Sequence, residues 1–241
     1  MVYWGCCSLK RILFFLLLLL FCFCVIQIIL YTEESAWQEA AFARLADRPD
    51  LAALQAENPD LAGWIQIPDT AIDYPVMHTP DRPDHYLYRD FQGKISDYGC
   101  IYAEEGSDPQ APSDNVTLYG HAMRDGSMFA GLRSYTDPEF WETHPDIRFD
   151  SLTQPRTYQI FAVFRTSGYA GQGFAYHSFT DADTAAEFDD FVAQCKTLSL
   201  YDTGITPEYG DKLLCLSTCD YTRANGRLVV AAVLEKETPD A

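Results

Sequence analysis

A candidate nucleophile, Cys219, ends an apolar run near the C-terminus of the chain. A short polar loop with an Asn-Gly pair follows, and Arg227 opens a second apolar run, so the two runs predict a β-hairpin. Strand alternation places Cys215, Ser217 and Cys219 on one face, with Cys219 at the end, where a thiol can meet solvent. Pairing across the hairpin is expected to bring the guanidinium of Arg227 near that thiol.

A candidate proton carrier lies far upstream, in the sequence Tyr-Gly-His-Ala-Met that contains His121. A cysteine nucleophile needs such a partner, and an imidazole gives and takes protons near neutral pH. Gly120 is expected to let the backbone turn sharply, so that the ring leaves its strand toward a cleft. The chain has five histidines, and the polar, Pro- or Asp-flanked surroundings of the other four indicate surface positions: His78, His85, His144 and His177.

Three spaced motifs carry a resemblance to a known family. Tyr-Gly-His-Ala-Met (119–123), Leu-Ser-Thr-Cys (216–219) and Asn-Gly-Arg-Leu-Val-Val (225–230) are similar to the His, Cys and Arg motifs of sortases. Sortases are membrane-anchored cysteine transpeptidases of Gram-positive bacteria. The chain most resembles class B, from about Asn58 to Leu234, and the three motifs occur in the order that the family has.

The resemblance implies a catalytic role for each of the three residues. Cys219 would attack a backbone carbonyl, Arg227 would stabilise the oxyanion, and His121 would protonate the departing amine and later deprotonate the incoming one. Without the resemblance, Cys219 is equally well explained as a buried structural cysteine, which is the interpretation that suits Cys215. Arg227 is then an exposed strand arginine paired with an acid such as Asp220 or Glu104.

The protonation state of the site follows from how closely these groups meet. Nothing in the sequence beside Cys219 supplies a cation except Arg227, and His121 comes from a distant strand. If the contact is loose, only a small fraction of molecules holds thiolate and imidazolium together, which is the form that both attacks and protonates. We therefore expect a slow enzyme with a bell-shaped dependence of rate on pH.

Neighbours of the three motifs are candidates for substrate binding, namely Tyr119, Ser217 and Asp220. The resemblance implies that they line the substrate groove of class B enzymes, although packing or loop hydrogen bonding explains each one equally well. Asn115 is expected either to brace the strand that leads to the histidine or to form an Asp-Asn turn.

Composition limits the partners of the protein. The 241 residues carry a formal net charge of −18, with 35 acidic against 17 basic residues. Phosphate binding needs a basic face, so nucleic acid is excluded as a partner, and a solvated surface explains the acidity. No Cys/His cluster has zinc spacing and no acidic array has calcium spacing, so we expect neither metal nor cofactor.

An apolar segment near the N-terminus, Ile12–Leu30, is interrupted only by Gln27. As a helix it spans roughly 28 Å, close to the hydrocarbon core of a bilayer. A signal peptide has a shorter apolar region that ends in small residues, so an uncleaved single-pass anchor is favoured. Basic residues precede the segment and acidic ones follow it, which places the N-terminus in the cytoplasm and the catalytic domain outside the cell.

The pattern of the rest of the sequence predicts a mainly β fold with added helices. Eight short strands bounded by Pro, Gly, Asp or Asn suggest a closed barrel, and the resemblance implies the same count. Helices are predicted at Met128–Tyr135, Pro138–Glu142 and Asp181–Leu198, and Pro49 is expected to divide a helical stalk into two. The predicted segments are a cytoplasmic N-terminus (1–11), the anchor (12–30), the stalk (31–57), a sortase-type eight-stranded barrel domain (58–236) and a tail (237–241).

The expected reaction cleaves a C-terminal sorting signal of a secreted protein and transfers its acyl group, through a thioacyl-enzyme, to an amine of peptidoglycan. Signals of the Asn-Pro-x-Thr or Leu-Pro-x-Thr type are what the family resemblance suggests. Three alternatives stay open at this point. They are pilin polymerisation with a pilin lysine as acceptor, a hydrolytic Cys-His peptidase, and a non-enzymatic anchored receptor that uses the barrel as a binding module.

Overall fold

The structure, a computed structural model, describes residues 4–46, 50–169 and 171–236. The chain divides into two compact units, Met1–Arg44 and Leu45–Ala241, and each is described by itself. The tail predicted at 237–241 and the helix-dividing Pro49 lie outside the described residues.

The first unit consists of one long helix, α1, at Trp4–Ala46. Within α1, Leu13–Glu33 is long and apolar enough to cross a membrane, and its side chains are exposed. The helix does not stop at the end of this segment, because Ala, Glu, Gln and Leu, all good helix formers, continue to Ala46. The predicted anchor and the first half of the predicted stalk are therefore a single helix.

The second unit begins with helix α2, Leu51–Glu57. Its N-cap is Asp50, whose carboxylate accepts hydrogen bonds from the N–H groups of Ala52 at 3.1 Å and Ala53 at 3.2 Å. This cap satisfies two N–H groups that a helix start otherwise leaves without partners.

A closed eight-stranded barrel forms the body of this unit, as the sequence predicts. The strands follow the order β1-β2-β3-β4-β7-β8-β6-β5. They are β1 (Leu61–Gln66), β2 (Asp73–Met77), β3 (Ile101–Ala103), β4 (Asn115–Tyr119), β5 (Asp146–Ser151), β6 (Thr157–Ser167), β7 (Leu213–Asp220) and β8 (Gly226–Leu234).

Helices lie in two of the connections between strands, from β4 to β5 and from β6 to β7. A 3-10 helix spans Phe129–Thr136, α3 spans Pro138–Thr143 and α4 spans Ala185–Leu198. The prediction that α4 begins at Asp181 is wrong by four residues, because Thr184 caps the helix and accepts from the N–H of Glu187. A second, very short 3-10 turn at Tyr176–Ser178 has no counterpart in the sequence expectations.

Helix α4 covers one face of the β7–β8 hairpin. Its buried residues, among them Phe188, Val192 and Cys195, pack in one cluster with Cys215 of β7 and Ala231 of β8. This face of the hairpin is closed by apolar packing along most of its length. The site described next lies where that packing ends.

Candidate active site

The thiol of Cys219 stands at the open end of β7. Cys219 pairs directly with Arg227 of β8, and the guanidinium Nη1 lies 3.8 Å from the sulfur. Asn225 before the returning strand has a φ of 47°, a left-handed conformation that Asn tolerates better than most residues. The hairpin predicted from the Asn-Gly pair thus brings Arg227 to the thiol.

Arg227 is held by its own hairpin and by a neighbouring glycine. Its Nη1 donates to Asn225 Oδ1 and to the carbonyl of Gly226, both at 3.1 Å. Gly168 donates its N–H to the carbonyl of Asn225 at 2.8 Å, and a Cβ at Gly168 would lie 3.1 Å from the guanidinium carbon. In the parts of the chain that the structure describes, no ion pair involves Arg227. The alternative of a strand arginine paired with Asp220 or Glu104 is wrong for the described residues.

His121 reaches the same place from β4. Strand β4 runs parallel to β7, and beyond their ladder Gly120 N–H donates to the carbonyl of Ser217 at 3.1 Å. Thr218 Oγ1 donates to the carbonyl of Gly120 at 2.8 Å. These two bonds tie the backbone just before His121 to the two residues that precede Cys219. The histidine and cysteine motifs are therefore adjacent in space.

Gly120 serves a different purpose from the predicted sharp turn. It is absent from the positive-φ residues, and a Cβ there would lie 2.5 Å from Ile101 Cδ1 and 2.7 Å from Phe129 Cδ2. Glycine is required because two side chains pack directly on its α-carbon. Close packing, rather than backbone freedom, explains this position.

The imidazole of His121 is oriented by a backbone carbonyl. Its Nε2 lies 2.8 Å from the carbonyl oxygen of Leu87, and its ring centre lies 5.4 Å from that of Tyr88. A carbonyl can only accept, so Nε2 carries the proton and Nδ1 is the other exchangeable position. None of the hydrogen bonds among the described residues joins this ring to Cys219. Side-chain motifs in the sequence could not reveal Leu87, because its contribution is a main-chain atom.

Tyr119 and Ser217 are brought together by the parallel register of β4 and β7, in which they are direct partners. The Tyr119 ring packs 5.4 Å from the ring of Tyr102, and burial raises the pKa of Tyr119. Ser217 is buried, and its Oγ lies 2.6 Å from the hydroxyl of Tyr176. Burial also raises the pKa of Tyr176, to about 12. These hydroxyls therefore stay protonated at neutral pH.

Asp220 is placed away from the thiol. Side chains alternate along β7, so its carboxylate projects from the opposite face to Cys219. There Oδ2 lies 3.0 Å from Nε of Arg165, and the oxygens accept from the N–H and hydroxyl of Thr222. Burial raises the pKa of Asp220, but the Thr222 bonds and the charges of Arg165 and Arg223 outweigh it, so the net pKa lies below its usual value. Asp220 therefore does not face the thiol but lines a separate cavity, and its role in substrate binding stays a prediction.

Two residues near the site escaped the sequence analysis. Tyr102 of β3 is the cross-strand partner of Tyr119 and donates its hydroxyl to Asp84 at 2.8 Å. Tyr176 comes from the 3-10 turn between β6 and α4. Neither has a sequence signal, since each depends on long-range pairing. Asn115, in contrast, fits the bracing role, because its amide donates to the carbonyl of Phe179 at 2.9 Å.

The other histidines are less uniform than the sequence indicated. His177 is exposed, whereas His78 is half-buried, and its Nε2 is buried without a hydrogen-bond partner. Burial lowers the pKa of His78. The expectation of a surface position is therefore wrong for His78. Within the described residues, no group of three or more His, Cys, Asp and Glu side chains could hold a metal ion.

The closed β-barrel presents a half-buried thiol, a guanidinium and an imidazole at adjoining strand ends. This combination of fold and site is typical of β-barrel enzymes with a cysteine nucleophile. Comparison with known proteins identifies the class further. A family model described as the sortase domain matches residues 65–235. Sortase B of Listeria monocytogenes is 33% identical over 189 residues, which cover 78% of this chain and 74% of that protein.

Solved structures agree. Bacillus anthracis sortase B in complex with AAEK1 is similar with a TM-score of 0.75 at 32% identity, covering 86% of this chain and 100% of that one. A Staphylococcus aureus sortase B–substrate complex has a TM-score of 0.77 at 26% identity, with the same coverage of 86% and 100%. The chain belongs to the sortase family of cysteine transpeptidases, and within it to class B.

Proposed function

We propose that Cys219, His121 and Arg227 carry out the transpeptidation, as nucleophile, acid–base and oxyanion ligand. The observation that supports this most directly is the cross-strand pair of Cys219 and Arg227, with Nη1 3.8 Å from the sulfur. A guanidinium stays protonated at any physiological pH, so Arg227 contributes fixed donors and not a base.

In the first half-reaction, the thiolate of Cys219 attacks the scissile carbonyl of the sorting signal. Negative charge develops on the carbonyl oxygen, and Arg227 stabilises it with N–H donors that are already oriented by Asn225 and Gly226. The C–N bond then breaks, and His121 as imidazolium gives its proton to the departing amine. A thioester on Cys219 remains.

In the second half-reaction, an amine attacks the thioester carbon and His121 accepts its proton. The C–S bond breaks, a new amide forms and the thiolate of Cys219 is restored. Because Nε2–H of His121 is held by the carbonyl of Leu87, Nδ1 is the nitrogen that exchanges the proton in both halves.

The physiological role that fits this reaction is covalent anchoring of secreted proteins to an amine of peptidoglycan. The apolar segment of α1 would hold the enzyme in the cell membrane, and Lys10 and Arg11 before it would keep the N-terminus in the cytoplasm. The barrel domain would then act outside the cell, where its substrates are exported. Pilin polymerisation has no specific observation in its favour.

The test uses the full chain in detergent micelles with a peptide of the Asn-Pro-x-Thr type and, in parallel, one of the Leu-Pro-x-Thr type. Intact-mass measurement should reveal a thioester adduct on Cys219, and addition of triglycine should convert it to an amide product. If acid product formed at the same rate with and without amine, a hydrolytic peptidase would replace the transpeptidase. If Cys219→Ala left product formation intact, the assignment of the nucleophile would be wrong.

A further inference from the structure

A second cavity opens on the other side of the β7–β8 hairpin from the thiol. It has a volume of about 380 Å³, and the residues around it include Arg133, Arg165, Asp220, Tyr221 and Thr222. Asp220 directly follows Cys219, so the cavity begins one residue from the nucleophile while facing the opposite surface of the strand. Its volume falls within the range of small-ligand sites, roughly 300–1,000 Å³.

Positive charge exceeds negative charge around this cavity. Of the described residues that line it, Asp220 is the only acid, whereas Arg133 and Arg165 are both basic. Arg223 lies close enough to Asp220 to lower the pKa of its carboxyl. Two guanidinium groups and one carboxylate therefore line the cavity, in a chain whose formal net charge is −18. A local excess of cations on such an acidic protein needs an explanation other than general solubility.

The arginines differ in how far their donors are used. Arg165 forms an ion pair with Asp220, in which Nε lies 3.0 Å from Oδ2 but without the angle of a hydrogen bond, and the side-chain exposures are 30% and 8%. Arg133 is exposed, and its guanidinium carbon lies 5.3 Å from the ring centre of Tyr221. Among the described residues, the guanidinium of Arg133 has neither an ion pair nor a hydrogen-bond acceptor. Stacking on Tyr221 leaves its planar set of donors free to bind an anion.

We propose that this cavity binds an anionic group, a carboxylate or a phosphate, of the acceptor substrate, while the amine of that substrate reaches the thioester on Cys219. The proposal rests on the proposed transpeptidase function. Guanidinium groups suit both anions, because parallel N–H donors match a pair of oxygens. The two sources are a peptide stem that ends in a carboxylate and a lipid-linked precursor that carries a diphosphate. Either acceptor would have to extend around the end of β7, with its anionic group at Arg133 and its amine at Cys219.

The kinetic test compares three acceptors that carry the same amine and end in a neutral amide, a carboxylate or a phosphate. For the full-length enzyme, the charged acceptors should have a lower KM than the amide. Arg133→Gln should raise the KM of a charged acceptor roughly three- to tenfold while leaving that of the amide unchanged. The matched control is Arg148→Gln, which removes an exposed cation from β5. The acceptor with the larger shift identifies the source.

A binding measurement separates this proposal from the transpeptidase function, since it needs no turnover. Calorimetric titration of the full chain with inorganic pyrophosphate should give binding that weakens severalfold in Arg133→Gln and in Arg223→Gln, and stays the same in Arg148→Gln. Equal KM shifts for all three acceptors, or pyrophosphate binding that ignores Arg133, would overturn the proposal. Failure of wild-type acyl-enzyme formation with pyrophosphate binding intact would count against the transpeptidase mechanism instead.

Discussion

Cys215 and Cys219 lie four residues apart on the same face of β7, yet they occupy opposite environments. Cys215 is fully buried opposite Ala231, in the cluster that α4 covers. Cys219 is half-buried opposite Arg227, beyond the edge of that cluster. Burial raises the pKa of Cys215 to about 12, which removes its thiolate at any physiological pH. Chemically identical side chains thus become a packing group and a candidate nucleophile.

The boundary of the apolar core therefore decides which thiol can react. A thiolate is the reactive form, and it needs water or a fixed cation to be stable. Both are denied to Cys215 by Phe188, Val192 and Cys195 of α4. Arg227 supplies a cation to Cys219, and the end of the strand supplies access. Variants of the two cysteines and of their neighbours test this contrast.

Removing each thiol in turn gives the largest expected contrast. Cys219→Ala should lower the transfer rate by more than about 10³-fold, because none of the other described thiols pairs with Arg227. Cys215→Ala should retain the wild-type rate within about a factor of two. Steady-state transpeptidation by the full chain measures both, with circular dichroism as the control for folding. Equal losses in two well-folded variants would mean that the contrast between the cysteines is false.

Replacing Arg227 tests whether its guanidinium is what distinguishes the surroundings of Cys219 from those of Cys215. Arg227→Ala should lower kcat by about 10²–10³-fold, the range for loss of an oxyanion donor. Arg227→Lys should recover little, because an ammonium lacks the planar donor set that Asn225 and Gly226 orient. Arg148→Gln on β5 is the control for loss of a positive charge. Full activity of Arg227→Lys would reduce the role of Arg227 to charge alone.

The contrast itself was partly visible in the sequence. The Asn-Gly pair and the alternation of β7 predict both the hairpin and the pairing of Cys219 with Arg227, since those signals are local. The adjacency of His121 was available only through the family resemblance, because β4 and β7 pair across a long stretch of chain. No local pattern could place the Leu87 carbonyl on the imidazole.

Long-range register also determines the surroundings of Asp220. This residue directly follows Cys219 in the sequence, but the antiparallel pairing of β6 and β8 brings Arg165 next to it on the other face. The start of α4 was missed for a local reason, since a Thr184 cap outweighs the acidic residues before it. The eight strands were found because each one is bounded by turn residues.

The burial of Cys215 should make the free energy of unfolding depend on pH. The pKa of Cys215 is raised to about 12 in the folded state, so above the unfolded value of about 9 the unfolded chain loses this proton first. The contribution of Cys215 to the free energy of unfolding is fully present below pH 9. It is lost between pH 9 and 12, at about 1.4 kcal/mol per pH unit.

Cys215→Ala should therefore lose about 1–2 kcal/mol of unfolding free energy at pH 7, through the cavity it leaves. Its stability should then fall less steeply than that of the wild type between pH 9 and 11. Urea unfolding followed by tryptophan fluorescence at pH 7, 9, 10 and 11 measures both effects. Parallel pH profiles in the two proteins would show that Cys215 ionises equally in the folded and unfolded states, against the contrast drawn here.

Substitution of Ser217, which lies midway between the two cysteines, should have the smallest effect. It tests where along β7 the apolar core ends and the active site begins. Its Oγ lies 2.6 Å from the Tyr176 hydroxyl, and both residues are buried. Tyr176→Phe and Ser217→Ala should each cost about 1 kcal/mol, because each leaves the partner hydroxyl unpaired, and the double variant should cost little more than one single variant. The carbonyl of Ser217 also accepts the N–H of Gly120, next to His121, so a shift of this buried pair should also lower kcat/KM severalfold in each single variant.

A purely structural bond would move stability without moving kcat/KM. Tyr135→Phe is the matched control, since that buried hydroxyl donates to the His144 carbonyl at 2.9 Å, on another part of the barrel. It should lose comparable stability and keep its rate. Additive losses in the double variant would mean that Ser217 and Tyr176 are independent. The turn between β6 and α4, which carries Tyr176, would then have no part in the active site at the end of β7.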